Sequence, residues 1–108
     1  MTTGIFITGT DTGVGKTYIA ERLASGFRNK GINVGVMKPA ETGCRYRAGR
    51  LIPRDAVRLM NAAGSNDSLA LINPYRFREP LAPFVSALRA GEKIDSRIIK
   101  KSFRELCC

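Results

Sequence analysis

The chain has 108 residues, 44% of them hydrophobic and 25% charged, which suits one modest soluble domain. No apolar run is long enough to span a bilayer, and the opening Met1-Thr2-Thr3 carries no basic signal-peptide region, so a cytoplasmic chain is expected. The net charge is +9; three cysteines, with no histidine in the chain, argue against a zinc site, and their odd number argues against a disulfide framework.

The first apolar run, Gly4 to Thr8, is short and β-branched and is expected as a buried strand. A Gly- and Thr-rich loop follows from Gly9 to Gly15. From Lys16, Ile19, Leu23 and Phe27 recur every four residues, with Ala20 and Ala24 alongside, which predicts a helix that Gly31 stops. Ile32 to Lys38 is expected as a second strand, completing a parallel strand–helix–strand unit. Residues 39–54 are expected as a long basic loop. Asp55 to Ala63 is expected as a short helix closed by Gly64, with Asp55 at the N-cap. Leu69 to Ile72 is expected as a short strand or extended segment. Pro83 to Ala90 can be helical up to Gly91, and a last helix is expected from Asp95 to about Leu106, with Ile98, Ile99, Phe103 and Leu106 on its apolar side.

The charge is uneven: residues 1–43 carry five basic and three acidic groups, and residues 44–108 carry thirteen and six. Arg45, Arg47, Arg50 and Arg54 crowd one stretch. Without interleaved aromatics or a nucleic-acid motif, these arginines are expected to be a solvated surface, and nucleic-acid binding is not expected. Cys44 has no neighbour in the sequence that would activate it as a nucleophile.

The chemistry concentrates in Gly9-Thr10-Asp11-Thr12-Gly13-Val14-Gly15-Lys16-Thr17. The strict phosphate-loop pattern wants glycine where Thr10 stands, one place after Gly9, but the Gly-x-Gly-Lys-Thr core is intact. Gly13 and Gly15 allow torsions that turn successive N–H groups inward, and the helix start adds partial positive charge. Lys16 can reach the β- and γ-phosphates, and Thr17 can offer its hydroxyl to Mg²⁺. A glycine-rich turn that merely caps a helix is the plainer alternative. The strand before the loop and the helix after it favour a nucleotide.

This loop resembles that of the dethiobiotin synthetase family, in which threonine at the displaced position is usual. Three further segments strengthen the resemblance. They are Lys38-Pro39-Ala40-Glu41-Thr42-Gly43-Cys44, Asp55 opening a helix after a variable loop, and Asn73-Pro74-Tyr75 followed by Pro80 and Pro83. The resemblance covers nearly the whole chain. It implies an α/β fold of the P-loop NTPase type, a parallel sheet with flanking helices, present as one incomplete nucleotide-binding domain over residues 1–108. The activity it implies is ATP-dependent closure of a ureido ring on 7,8-diaminononanoate with CO₂, through a phosphorylated carbamate. By the same resemblance Lys38 is the catalytic lysine and Thr42 contacts the diamine. Gly13, Val14, Gly15, Lys16, Thr17, Tyr18 and Asp55 hold the nucleotide, and Thr17 and Asp55 ligate Mg²⁺.

Members of this family are longer and form homodimers. The resemblance therefore implies that a later strand, whose terminal glutamate is a further Mg²⁺ ligand, and the base-selecting segments lie outside the chain, and that the chain alone has little or no activity. Two alternatives stand beside this reading. One is a nucleotide-binding chain without catalysis; the other is a partner-regulated P-loop ATPase, against which the Lys-Pro-x-x-Thr-Gly segment speaks.

Overall fold

The computed structural model describes residues 4–7 and 15–107. Its first helix, α1 (Lys16–Asn29), follows the expected four-residue apolar repeat and ends at Gly31, whose φ of 83° suits a residue without a side chain. The chain then runs through β1 (Ala40–Glu41), β2 (Arg45–Arg47), β3 (Arg50–Ile52), α2 (Arg54–Ala63), α3 (Leu69–Ile72), β4 (Tyr75–Arg76), α4 (Pro83–Ala90) and α5 (Ser96–Leu106). The result is an α/β fold with a parallel strand pair and flanking helices.

β1 and β4 pair in parallel, with Ala40 opposite Tyr75 and Glu41 opposite Arg76. Backbone bonds extend this ladder in both directions. Lys38 N–H donates to Ile72 O (2.8 Å) and Tyr75 N–H to Pro39 O (3.1 Å). Further on, Phe77 N–H donates to Glu41 O (2.9 Å) and Cys44 N–H to Phe77 O (3.0 Å). The segment from Lys38 to Cys44 is thus held along its length, as parallel pairing through a helical crossover requires.

The core lies beside this ladder. Tyr75 and Phe77, two residues apart and so on one face of the strand, bury their rings with Ala87 of α4, and Ala40, Ile94 and Ile99 pack around them. The Tyr75 hydroxyl accepts from Asp95 N–H at 2.9 Å, which ties the start of α5 to the strand. α1 packs against α2. Between them Arg58 donates from Nε and Nη2 to the two carboxylate oxygens of Glu21 (2.9 and 3.3 Å).

Several expected elements come out differently. Residues 4–7 form no strand, and Ile5 and Phe6 are exposed rather than buried, Phe6 at 89%. Thr8 lies outside the described residues. Residues 32–38 are not assigned as strand either; only Lys38 joins the ladder. The cause is common to both: an apolar β-branched run becomes a strand only when a second row of N–H and C=O groups lies beside it, and no described segment pairs with these runs.

The expected loop 39–54 holds β1 and an antiparallel hairpin of β2 and β3. Arg47 faces Arg50 across it, and the two-residue turn Ala48–Gly49 has positive φ at both positions. Leu69–Ile72 is a helical turn, not a strand, because the Ser68 hydroxyl accepts from Ala70 N–H and starts it. Helix α2 begins one residue earlier than expected, and its N-cap is Pro53, so Asp55 stands in the first turn.

Candidate functional site

Helix α1 starts at a glycine that must be a glycine. Gly15 is its N-cap with φ 89° and ψ 14°, the left-handed region that disfavours any side chain. No side chain caps this end and no acidic residue stands in the first turn, so the positive end of the helix is not neutralised from within. Lys16 opens the helix, half-buried, and pairs with no carboxylate among the described residues. Gly13 and Val14, both expected at the nucleotide, lie outside the described residues.

Three expected site residues converge from three parts of the chain. Lys38, on the ladder segment, places Nζ 2.7 Å from Asp55 Oδ2 in the first turn of α2. Thr17, in the first turn of α1, is close enough for its hydroxyl to favour the charged form of the same carboxylate. Burial alone would push the Asp55 carboxyl up. The Lys38 hydrogen bond and charge, then the Thr17 hydroxyl and the Arg58 charge, outweigh burial and hold it below the usual aspartate value.

Thr42 and Asp55 line one cleft of about 200 Å³, with Glu41, Gly43, Arg54 and Arg58 completing the wall. Tyr18 lies exposed on α1, and no hydrogen bond joins it to this cluster among the described residues.

The sequence gives no local hint of two residues that build the site. Glu41 stood as an unspecified position in the Lys-Pro-x-x-Thr-Gly segment, yet it is 6% exposed, and its two carboxylate oxygens accept from Asp55 N–H and Ala56 N–H at 3.0 Å each. The available signal was Pro53, which cannot cap the helix it precedes and so leaves first-turn amides to find an acceptor elsewhere. Asn73, which the sequence marks only as part of the Asn73-Pro74-Tyr75 segment, is fully buried and donates from Nδ2 to Lys38 O (2.7 Å) and Tyr75 O (3.0 Å). It fixes the backbone that carries Lys38. Cys44 is buried, and burial, then the Glu41 charge, push its thiol up, which disfavours the reactive thiolate.

A family model described as an AAA domain matches residues 3–106. The chain belongs to the AAA domain family. This agrees with the P-loop type of α/β fold. The chain is 43% identical over 106 residues to the ATP-dependent dethiobiotin synthetase BioD of Thermodesulfovibrio yellowstonii, covering 98% of this chain and 44% of that protein. The synthetases of Methanococcus vannielii (40% over 102 residues; 94% of this chain, 44% of that protein) and Rhodopirellula baltica (41% over 103; 94% and 40%) are similar. The resemblance drawn from the four motifs is therefore borne out across nearly the whole chain. The chain spans less than half the length of the curated relatives it matches.

Among the described residues no helix is long and apolar enough to cross a membrane, and no group of three His, Cys, Asp or Glu side chains could hold a metal ion by itself.

Proposed function

We propose that this chain contributes to the ATP-dependent closure of the dethiobiotin ureido ring from 7,8-diaminononanoate and CO₂, a step of biotin synthesis, the reaction that its resemblance implies; its relatives are named ATP-dependent dethiobiotin synthetases. The observation that carries the reading is the meeting of Thr17, Lys38 and Asp55 at the start of α1.

One amine of the diamine takes up CO₂ to give a carbamate and a proton. A carbamate oxygen attacks the γ-phosphorus of ATP, ADP leaves, and a carbamic-phosphoric anhydride forms. The second amine attacks its carbonyl carbon and phosphate leaves. The two reactants of the middle step are both anions, so cations must hold them together. Lys16 and Lys38 provide that charge, and losing one such contact costs roughly 10²–10³ in rate. Thr42, in the cleft wall beside Asp55, contacts the diamine.

The donor set suits Mg²⁺. Thr17 and Asp55 offer hard oxygen donors side by side, and Mg²⁺ characteristically takes one or two protein oxygens with the rest from phosphates and water. When bound, the ion neutralises charge on the phosphates. Before it binds, Lys38 holds the Asp55 carboxylate in its charged form. The reading also places the protein in the cytoplasm as a homodimer.

Calorimetry tests it. MgATP is expected to bind the wild-type chain and to lose measurable binding with Lys16→Ala. The diamine with bicarbonate is expected to bind the wild type and to bind Lys38→Ala and Thr42→Ala more weakly. Identical ATP titrations of wild type and Lys16→Ala reject the nucleotide site; an undiminished diamine signal in Lys38→Ala rejects the ligase assignment.

A further inference from the structure

The first turn of α2 has a capping problem that its own sequence does not solve. Helix starts are normally closed by a Ser, Thr, Asp or Asn side chain at the N-cap, which satisfies an N–H that has no partner within the helix. Here the N-cap is Pro53, with no such group. The acceptor comes instead from Glu41, fourteen residues before Asp55 and on the neighbouring strand β1.

We propose that Glu41 is a positioning residue: its buried carboxylate holds the main chain of Asp55 so that the Asp55 side chain meets Lys38 and Thr17. Both Glu41 oxygens are committed, Oε2 to Asp55 N–H and Oε1 to Ala56 N–H, each at 3.0 Å. A buried charge is costly unless it is hydrogen-bonded. Two charge-assisted bonds and the positive end of α2 meet that cost. The strand beneath is fixed too, because Lys38 N–H donates to Ile72 O and Glu41 O accepts from Phe77 N–H.

Asp55 is therefore gripped twice from one short segment. Lys38 holds its side chain, and Glu41, three positions later, holds its backbone. Without the second grip, the first turn of a helix with no local cap frays, and the carboxylate leaves its place against Lys38 and Thr17. The geometric part of this inference stands on the ligand-free contacts; its effect on Mg²⁺ rests on the proposed function.

The test is Glu41→Gln, which keeps the size and one carbonyl acceptor but turns an NH₂ toward the other amide. MgATP affinity is expected to fall about tenfold, the usual scale for removing the support of a metal ligand, while ATP affinity in the presence of a chelator stays unchanged. In an Asp55→Asn background the same change is expected to have no further effect. Equal losses with and without Mg²⁺, or a full loss in the Asp55→Asn background, overturn the proposal. On the ligand-free protein, nuclear Overhauser contacts between the Lys38 and Asp55 side chains are expected to weaken in Glu41→Gln while amide shifts in the later turns of α2 stay at their wild-type positions. Undiminished contacts overturn it as well. If neither wild type nor Lys16→Ala binds ATP, the nucleotide reading falls and the Overhauser measurement alone decides. Should Glu41→Gln not fold, Glu41→Asp, one methylene shorter, carries the same measurements.

Discussion

Lys38 Nζ sits 2.7 Å from Asp55 Oδ2, seventeen positions further along the chain, and the nearby Thr17 hydroxyl favours the charged form of the same carboxylate. The pair joins the parallel ladder to the first turn of α2, and through Thr17 to α1. Its energetics give the first prediction.

The Asp55 carboxyl is held below its ordinary value of 3.8 in the folded protein, so the unfolded chain binds its proton more readily. The stability this confers is present above the unfolded value and is lost as pH falls through the folded one. Each partner is about a third exposed, so solvent screening limits the contribution to roughly 0.5–1 kcal/mol. Urea unfolding between pH 7 and pH 3 is expected to show a steeper acid-side decline for wild type than for Asp55→Asn. Parallel profiles would count against the pair as a source of stability.

Asn73 gives the second prediction. Its Nδ2 serves two carbonyls, those of Lys38 and Tyr75, in a fully buried position. Asn73→Ala leaves both acceptors without that donor and is expected to cost about 2 kcal/mol. Asn73→Asp is expected to cost more, because it adds a buried charge facing two carbonyl oxygens. Denaturant midpoints order the two variants, and the reverse order would show that the amide does not act as a donor here.

How much of this was legible beforehand follows from the range of each interaction. Helices α1, α2, α4 and α5 announce themselves through apolar spacing; a glycine follows α1, α2 and α4, and α5 has Asp95, which accepts from Arg97 N–H as an N-cap should. Lys38, Asp55 and Thr17 were legible through motif resemblance. The runs at 4–7 and 32–37 have strand composition, but pairing is a property of two segments, and composition describes only one. The hairpin at 45–52 hid for the opposite reason: Arg45, Arg47 and Arg50 lack the apolar alternation that marks a half-buried strand. Glu41 escaped because its partners lie fourteen and fifteen residues away, beyond any local capping pattern.

The third prediction concerns the core. Phe77 is among the largest fully buried side chains, and its ring lies 6.4 Å from that of Tyr75. Phe77→Ala is expected to cost roughly 3–5 kcal/mol through lost burial and the cavity left behind. Thermal melting would show it as a broadened, low-temperature transition. A midpoint within a few degrees of wild type would mean that the neighbouring side chains collapse into the space.

Gly64 supplies the fourth. It ends α2 with φ 63°, and a Cβ built there would lie 2.5 Å from Arg28 Cζ. The guanidinium is the flexible end of a long side chain and can swing aside, so the backbone torsion dominates. Gly64→Ala is expected to cost about 1 kcal/mol, nearly the same in an Arg28→Ala background. A cost that disappears with Arg28→Ala would assign it to the clash instead.

The buried thiol of Cys44 gives the molecule a chemical clock. Its backbone N–H is bonded to Phe77 O and its Sγ lies 3.5 Å from Glu41 O, so a labelling reagent can reach it only when the strand carrying Lys38 and Glu41 comes away from its neighbour. Cys107 is exposed and reacts at once. The slow phase of thiol modification therefore counts excursions of the Lys38–Cys44 segment, and ligands that fasten that segment should lengthen it without touching the fast phase.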